Sequence, residues 1–353
     1  MHSQEINNFS ALKARSKEQL EKQLPFVLYR KPKEKKVVGL FQKTEQIVAP
    51  KDYKEQGFLF APFDKEGASF VLIPNENIAA DFVSKIDFPT SSKQVDEVGR
   101  KAHIRLVQKA IDEIAIKKLQ KVIVSRKIEV RTTKSSIEIF ETALQRYPNT
   151  FCYLWYHPNT GIWIGATPEV FLKAKNTNIT TVALAGTIKA EDSKEPIWST
   201  KEIEEQQIVV DYINDSFKES LENVRVSKNQ TVKAGAVYHL KSTITGKINE
   251  NFKLKPLIEK LHPTPAVCGL PKTEALQFIH TNENYDRSYY TGFLGELNAG
   301  DASQTHLFVN LRCMKLEGNT ASIFVGGGIT KDSVPESEWL ETQYKSQTML
   351  SLL

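Results

Sequence analysis

The sequence is poor in the features that mark secreted, membrane and metal-cluster proteins. It has only three cysteines in 353 residues, and Cys152, Cys268 and Cys313 each stand among apolar neighbours. This odd, small number argues against a disulfide framework or a zinc cluster, so we expect three small core residues. No stretch reaches the roughly 20 apolar residues that span a bilayer, and the first twenty residues lack a secretory apolar run. We therefore expect a cytoplasmic protein with no membrane partner.

A large excess of charge of one sign is also missing. The formal net charge is +5, and the clearest basic run, residues 31–36, contains no interleaved aromatic residues. We interpret that run as a solvated loop and expect no nucleic-acid partner. With 40% hydrophobic and 25% charged residues, the chain has the composition of an enzyme-sized globular protein with a large core.

Strand and helix patterns are mixed, without the regular rhythm of a parallel βαβ protein. The runs PFVLY, VVGLF, GFLFAPF and SFVLI predict antiparallel strands in the first ninety residues, and RSYYTGFLGEL and THLFVNLRCMKL each predict one later strand. Hairpins are predicted at residues 158–161 and 175–178. Helical spacing predicts helices at residues 95–119 and 199–217, and another that begins near Pro335.

Two pairs of glutamates are the most informative pattern. Glu202 and Glu205 stand three residues apart in one predicted helix, and Glu338 and Glu341 repeat that spacing in the last one. A helix turns every 3.6 residues, so each pair projects from one face. One pair alone is most simply a solvated helix face. Four acids in one pocket would repel one another unless a cation stood between them, so together the pairs predict a Mg²⁺ site.

Lys345 extends the second acidic stripe, because it follows Glu341 by one helical turn and shares its face. This face comes soon after Gly326, Gly327 and Gly328, which we predict to form a turn. Glycine has no side chain, so the backbone can approach a ligand closely there.

Nine sequence blocks in order resemble the chorismate-utilising enzymes, a family that includes isochorismate, salicylate, anthranilate and aminodeoxychorismate synthases. The blocks are KVIVSR, GATPEVFL, LAGT, KEIEEQ, VYHLKSTITG, LHPTPAVCGLP, DRSYYTGFLGEL, FVNLRC and GGGITKDSVPESEWLETQYK. The resemblance runs from about Val95 to the C-terminus. A single block such as GGG would carry little weight, whereas nine in order make chance agreement negligible.

The resemblance implies an α+β fold like that of anthranilate synthase component I. This is one large domain of two stacked, mainly antiparallel β-sheets flanked by helices, with the active site in a cleft between the sheets. Residues 1–94 would supply the N-terminal part of the sandwich and residues 95–353 the chorismate-binding catalytic region, together forming one structural domain. We expect chorismate as substrate, a monomer, and no obligatory amidotransferase partner.

The resemblance also implies that Mg²⁺ bridges the four glutamates and the ring carboxylate of chorismate. Relatives usually follow the second acid of the first pair with histidine, whereas this chain has Gln206. We therefore expect the orientation of Glu205 to be held in another way.

Two residues match the family's catalytic groups. Lys121 stands where water-using relatives carry a lysine base and ammonia-using anthranilate synthases carry glutamine. Glu169 matches the general acid, which would keep its proton in a partly apolar pocket and give it to the departing C4 hydroxyl. Ala185 stands where aminodeoxychorismate synthases place a nucleophilic lysine, so a covalent route is disfavoured.

Further matches imply contacts with the substrate. Arg312 resembles the arginine that grips the enolpyruvyl carboxylate, a task suited to a planar fork of donors, and Tyr290 resembles its hydroxyl partner. The other implied substrate-binding residues are Gly186, Thr187, His239, Ala266, Gly327, Gly328 and Lys345.

These matches imply Mg²⁺-dependent conversion of chorismate to isochorismate, with menaquinone biosynthesis as the leading expectation over siderophore or salicylate routes. Salicylate synthase, which then eliminates pyruvate, is the alternative on the same scaffold. Ala266 disfavours it, since salicylate-forming relatives tend to carry a hydroxyl residue near that position. Anthranilate synthase is disfavoured by Lys121 and by the lack of an N-terminal motif of the LLES type. Outside the enzymes, the alternative is a non-catalytic chorismate- or anion-binding protein.

Overall fold

The computed structural model describes residues 4–5, 9–83, 97–189, 196–234, 237–300 and 303–353. The helices within these residues are α1 (Phe9–Glu21), α2 (Arg100–Ala115), α3 (Ser136–Arg146), α4 (Thr200–Ser220), α5 (Leu254–Leu261), α6 (Lys272–Asn282) and α7 (Pro335–Leu350). In this part of the chain, no helix has the length and apolar character required to cross a membrane.

The strands of the same residues form two sheets. They are β1 (Gln4–Glu5), β2 (Phe26–Arg30), β3 (Lys36–Phe41), β4 (Gly57–Ala61), β5 (Phe70–Leu72), β6 (Glu76–Asp81), β7 (Lys121–Arg131), β8 (Phe151–His157), β9 (Gly161–Thr167), β10 (Val170–Lys175), β11 (Asn178–Lys189), β12 (Glu222–Val226), β13 (Gln230–Ala234), β14 (Val237–Lys247), β15 (Gly269–Leu270), β16 (Phe293–Ala299), β17 (Gln304–Val309), β18 (Cys313–Glu317) and β19 (Thr320–Ile329).

The first sheet has the strand order β1-β6-β3-β2-β8-β9-β18-β19-β7-β15. The second sheet has the order β12-β14-β11-β10-β17-β16-β4-β5, with β13 also paired to β14. Neighbouring strands are antiparallel apart from the parallel pair β1 and β6. The predicted α+β fold of two mainly antiparallel sheets is therefore confirmed.

The two sheets pack face to face through aromatic side chains. Phe60 of the second sheet stacks on Trp155 of the first at 4.7 Å between ring centroids, and Phe308 stacks on Phe151 at 4.2 Å. These rings are fully buried or nearly so, and strands alternate their side chains between two faces. One face of each sheet therefore supplies the inter-sheet core, which we call the aromatic core.

The outer faces of the sheets are covered by helices. Helices α1 and α3 contribute Leu12, Phe140 and Leu144 to a core against the first sheet, and α4 and α5 pack on the second sheet through Val209 and Leu257. A further apolar cluster joins α2 and α6 to β7. The molecule is thus layered as helices, sheet, sheet, helices, which leaves the cleft between the sheets as the place for a site.

The first ninety residues contribute strands to both sheets. β2 pairs with β8 in the first sheet, and β4 pairs with β16 in the second. All four apolar runs predicted as strands are strands, and both predicted hairpins form, between β8 and β9 and between β10 and β11. The three cysteines are free and buried, as expected.

The predicted bounds of several elements were wrong. The glycine triplet 326–328 is not a turn but lies inside β19, paired with β7 along its length. The segment THLFVNLRCMKL is two strands, β17 and β18, because the chain leaves one sheet and enters the other at residues 310–312. RSYYTGFLGEL becomes a strand only from Phe293. Helix α2 begins at Arg100, and the predicted start at Val95 lies outside the described residues.

Candidate active site

A cleft with an empty volume of about 670 Å³ lies between the two sheets, where β7 and β19 face β11 and β14. Its walls contain most of the residues predicted to bind substrate. They are Ile123, Pro168, Glu169, Leu184, Ala185, Thr187, Glu205, His239, Ala266, Val267, Tyr290, Thr291, Leu311, Arg312, Phe324, Gly326, Gly327, Gly328 and Lys345. Residues distant in sequence thus meet around one cleft.

Gly327 and Gly328 make room for acidic side chains beside this cleft. A Cβ added to Gly328 would stand 2.3 Å from Oε1 of Glu205. One added to Gly327 would stand 3.2 Å from Oε1 of Glu341 and 3.3 Å from Oε2 of Glu338. The two glycines are therefore needed where three carboxylates approach the strand, and we call Glu205, Glu338 and Glu341 the acid cluster.

Each carboxylate of the acid cluster is paired with a different lysine. Nζ of Lys121 lies 2.9 Å from Oε1 of Glu205. Nζ of Lys201 lies 2.6 Å from Oε1 of Glu338. The Glu341 partner is Lys345, which also donates to the carbonyl of Gly326 at 3.0 Å. The three ammonium groups supply the positive charge that a group of buried acids requires.

Glu202 has a different partner. Its Oε2 accepts hydrogen bonds from the backbone N–H of Ser199, at 3.1 Å, and from the Ser199 hydroxyl, so it caps the start of α4. Gly186, at a positive φ of 69°, packs against the backbone and Cβ of Glu202. Of the four predicted metal ligands, three form the acid cluster and the fourth stands one helical turn away.

The donor set of the acid cluster suits a hard cation. Oε2 of Glu338 is buried and has no partner in good hydrogen-bond geometry within the described residues, although the Ser333 hydroxyl is close enough to the carboxylate to act against the rise in its pKa. Burial first, and then the neighbouring charge of Glu341, raise the pKa of Glu338 to about 7. A divalent cation would offset both the burial of the Glu338 charge and its repulsion by Glu341. Carboxylate oxygens are the ligands that Mg²⁺ prefers. With the lysines in place, however, no three acidic, histidine or cysteine side chains of the described residues converge at metal-binding distances.

Lys121 is fully buried at the first residue of β7. Its Cε lies 2.9 Å from the position of a Cβ on Gly328, so the lysine stands directly behind the glycine wall of the cleft. Glu205, whose carboxylate pairs with Lys121, is itself part of that wall. Lys121 thus lies behind the wall of the cleft, beside Glu205, and not in bulk solvent.

Glu169 faces the same cleft from the other sheet. It precedes β10 at the point where the chain crosses from β9 of the first sheet to the second. Burial raises the pKa of Glu169 to about 7, although Arg312 and Lys121 act against that rise. The carboxyl group can therefore hold a proton near neutral pH, as a general acid requires.

The crossing that contains Glu169 is hydrogen-bonded to the crossing that contains Arg312. The backbone N–H of Val309 donates to the Glu169 carbonyl at 3.0 Å, and that of Ala166 donates to the Arg312 carbonyl at 3.0 Å. Arg312 has a φ of 47°, an uncommon conformation for a residue with a side chain. The two connections between the sheets therefore fix each other, and with them an acid and a cation of the cleft.

Arg312 is the free cation of the cleft. Its guanidinium forms no hydrogen bond or ion pair with the residues that the structure describes, and burial lowers its pKa. Burial also raises the pKa of Tyr290, whose ring stacks on Phe324 at 5.3 Å. A planar cation with unused donors beside a neutral hydroxyl is suited to bind a carboxylate.

His239 is neutral at the cleft wall. Burial, with smaller effects from Arg312 and Lys345, lowers its pKa to about 3. Its Nδ1 lies 3.1 Å from the Gly186 carbonyl, which can only accept, so Nδ1 carries the proton. The Thr187 hydroxyl lies 3.2 Å from the same nitrogen. The two nitrogens of His239 thus have fixed and different roles.

Three remaining positions bear on the alternatives. Ala185 and Ala266 both line the cleft with methyl groups, where no nucleophile or hydroxyl is present. Gln206 is fully buried and donates to the Ala183 carbonyl at 3.0 Å, which ties α4 to β11. The orientation of Glu205 is therefore held by Lys121, as its 2.9 Å ion pair indicates, rather than by residue 206.

A buried ion pair behind the cleft was missed by the sequence analysis. Arg287 pairs with Glu283 through two nitrogens, at 2.8 and 2.6 Å. It also donates to the carbonyls of Ile123 and Val267 at 2.8 and 2.9 Å. Both of those residues line the cleft. Arg287 thus links two walls of the cleft. In the sequence it is simply the arginine of the block DRSYYTGFLGEL, and nothing there indicates a buried ion pair.

Lys201 was also missed, although it opens the block KEIEEQ. Burial would lower its pKa, yet the pKa is raised, first by Glu338 and then by the other acids of the cluster. A lysine one residue before a predicted metal ligand gives no sign from sequence alone that it reaches a different helix.

Comparisons with known proteins bear on the family and the fold. A sequence model described as a chorismate binding enzyme matches residues 75–353. Isochorismate synthase MenF of Bacillus subtilis is 30% identical over 304 residues, which cover 82% of this chain and 64% of that protein. This chain therefore spans somewhat less than two thirds of that relative's length.

Two solved structures share the fold. The menaquinone-specific isochorismate synthase MenF of Escherichia coli superposes with a TM-score of 0.74 at 20% identity, covering 94% of this chain and 89% of that one. Anthranilate synthase component I of Streptococcus pneumoniae gives 0.70 at 19%, covering 92% of each chain. At such identities the structures establish the architecture alone. The match to the family model covers residues 75–353, which is most of the chain. The chain therefore belongs to the chorismate-binding enzyme family.

Proposed function

We propose that this chain is an isochorismate synthase, which converts chorismate to isochorismate with Mg²⁺ bound. The observation that carries the proposal is the placement of a fully buried lysine and a protonatable carboxyl group on opposite sheets beside one cleft. Lys121 has no exposed surface, and the pKa of Glu169 is raised to about 7. The activity of the Bacillus subtilis relative supports the same reaction.

The reaction adds water at C2 of the ring as the C4 hydroxyl leaves, and the two ring double bonds each move by one position: C1=C2 becomes C1=C6, and C5=C6 becomes C4=C5. Lys121 acts as a base only as the neutral amine, after its ammonium group has given up a proton; it then takes a proton from the attacking water, whose oxygen bonds to C2. Glu169 gives its proton to the C4 oxygen, which departs as water when the C4–O bond breaks. Each turnover leaves one more proton on Lys121 and one fewer on Glu169. Both residues must return to their starting protonation states before the next turnover.

The cleft also holds the substrate by its charges. The unused donors of Arg312 and the Tyr290 hydroxyl are suited to the enolpyruvyl carboxylate. Gly186, Thr187 and neutral His239 would contact the ring and its carboxylate, and Lys345 adds a positive charge on the same side. Exclusion of water by these walls strengthens each of these interactions.

Glu205, Glu338 and Glu341 would hold the metal, with Glu202 able to join through water. Mg²⁺ would offset the negative charges of these acids and of the ring carboxylate of chorismate, so that the carboxylate could bind beside them. The unpaired buried oxygen of Glu338 and the space left by Gly327 support this assignment.

The other family reactions are less well supported. Lys121 favours water over ammonia as the nucleophile, and Ala185 offers no amine for a covalent intermediate. Ala266 places a methyl group where a hydroxyl would favour pyruvate elimination. For the pathway that uses the product, we propose menaquinone biosynthesis, with a siderophore route as the alternative.

The test is to incubate the purified protein with chorismate and Mg²⁺, with and without ammonium, and to identify products by chromatography and mass spectrometry. Isochorismate alone supports the proposal. Salicylate with pyruvate, or an aminated ring, would replace it by another synthase, and unchanged chorismate would favour a binding protein. A chelator should abolish turnover and added Mg²⁺ should restore it. Activity that persists in chelator would refute the metal.

A further inference from the structure

Lys201 is the lysine of the acid cluster to which the proposed mechanism gives no task. It is the second residue of α4, and its Nζ lies 2.6 Å from Oε1 of Glu338 on α7. The helix dipole disfavours a cation in the first turn. Formation of α4 therefore does not explain a lysine at this position, whereas the ion pair across to α7 does.

The three lysines differ in how readily each can leave its carboxylate. The side chain of Lys121 is 0% exposed. Lys345 is anchored by a second acceptor, the Gly326 carbonyl. Lys201 is 21% exposed and has no second hydrogen-bond acceptor in the part of the chain that the structure describes. Its long flexible side chain can turn toward water without breaking a second hydrogen bond.

The carboxylate that Lys201 holds is the one with a free oxygen. The Glu338 side chain is only 2% exposed; its Oε1 receives Lys201, and its Oε2 has no partner in good hydrogen-bond geometry among the described residues. A divalent cation on that carboxylate would stand beside the ammonium group in surroundings of low dielectric constant. The two positive charges would repel one another strongly there, so each weakens the binding of the other.

We propose that Lys201 is an internal counter-ion of Glu338 that competes with the divalent cation: it stabilises the metal-free fold and is released when Mg²⁺ binds. This inference rests on the proposed Mg²⁺ site. Because coupling between two binding events is reciprocal, the factor by which Lys201 weakens Mg²⁺ binding equals the factor by which Mg²⁺ weakens the Lys201 contact. Lys201 is thus a positioning residue that acts through Glu338.

The test is calorimetric titration of the metal-free full chain with MgCl₂ at pH 8.5. Replacement of Lys201 by Met removes the competing charge but keeps the apolar stem. We expect Mg²⁺ to bind Lys201→Met roughly five- to tenfold more tightly than the wild type, within the usual range for coupled sites. Lys201→Arg retains the charge and should bind Mg²⁺ as the wild type does.

A matched control distinguishes loss of the contact with Glu338 from loss of one positive charge elsewhere. Lys331 lies 3.5 Å from Glu204, a neighbouring but exposed pair outside the acid cluster. Lys331→Met removes the same charge without touching Glu338, and its Mg²⁺ affinity should change by less than about twofold, because solvent and salt screen exposed charges.

Thermal melting supplies a second readout. Without metal, Lys201→Met should melt below the wild type, and saturating Mg²⁺ should close that gap. A gap of equal size with and without Mg²⁺, or an unchanged or weaker affinity in Lys201→Met, would overturn the proposal and leave Lys201 as a scaffold. A wild type that binds no Mg²⁺ and turns over in chelator would instead refute the metal site of the proposed function.

Discussion

The aromatic core and the cleft are formed by the same two facing sheets, yet they use opposite chemistry. In the aromatic core, Phe60 and Trp155 stack at 4.7 Å, and Phe151 and Phe308 at 4.2 Å, within a cluster of buried apolar side chains. In the cleft, buried lysine, arginine and glutamate side chains face one another across open space of about 670 Å³.

The two regions contribute to the free energy of folding with opposite signs. Burial of aromatic surface supplies a large share of the free energy of folding. Burial of charges costs free energy. Ion pairs hold Lys121 and Glu338 in place, whereas Arg312 is held by the backbone of the connection between the sheets. We therefore expect cleft variants to lose turnover and core variants to lose stability.

The largest expected effect is on Lys121. Lys121→Gln keeps a polar side chain but cannot accept a proton from water, so kcat should fall by about 10²–10⁴-fold. Steady-state kinetics and circular dichroism measure turnover and fold. Lys121→Arg, which keeps the charge but not the base, should be equally inactive, and an active arginine variant would mean that the charge alone matters.

A loss of similar size is expected for Glu169. Glu169→Gln cannot deliver a proton, so kcat should fall by about 10²–10⁴-fold. Glu296, which accepts from the Tyr29 hydroxyl at 2.7 Å outside this cleft, offers a matched carboxylate, and Glu296→Gln should retain turnover. Equal loss in both variants would remove the special role of Glu169.

The same residue predicts a pH dependence. The pKa of Glu169 is raised from its ordinary 4.5 to about 7 by burial, and only the protonated form is an acid catalyst. Turnover should therefore fall as pH rises through about 7. The stability that the neutral carboxyl confers is present at low pH and is lost over the same rise, so Glu169→Gln should show a flatter pH profile of unfolding. An unchanged profile would contradict the raised pKa.

The core side of the comparison is tested at Trp155. This fully buried ring stacks on Phe60 and donates to the Thr160 hydroxyl at 2.9 Å. Trp155→Ala should lower the free energy of unfolding by about 3–5 kcal/mol in denaturant titrations, with kcat of the folded fraction little changed. Trp198 is only partly buried, and Trp198→Ala should cost about 1 kcal/mol or less.

The smallest effect is expected at Gln206. Gln206 bonds to the Ala183 carbonyl rather than to Glu205, which Lys121 holds. Gln206→His should therefore change Mg²⁺ affinity by less than about threefold in the same titration, because the acid cluster keeps its geometry. A larger change would mean that residue 206 orients Glu205 after all.

The sequence analysis succeeded where the chemistry is local. Helical spacing located α4 and α7 and the faces that present Glu205 and Glu338, and Pro335 marked the first residue of α7. The glycine triplet was recognised as a place of close approach, but its conformation was wrong. Glycines in a strand and glycines in a turn look alike until the facing side chains are known.

Residues at the crossings between sheets were harder to place. Glu169 and Arg312 were identified only through the resemblance, because nothing in a linear pattern says that the chain changes sheet at these positions. The Arg287 network and the Lys201 contact join residues that are far apart in the chain or in different helices, and no periodicity encodes such pairs.

Local patterns in the chain predict which residues share a helix face, which segments extend as strands and which family the blocks resemble, because periodicities of 3.6 and 2 are local properties of the backbone. The packing of the two sheets was needed to bring three of the four acids to Gly327 and Gly328, to pair each with a different lysine, and to set an acid and an arginine at neighbouring crossings. Those outcomes depend on how two sheets stack, which is set by the sum of many weak long-range contacts rather than by any one motif.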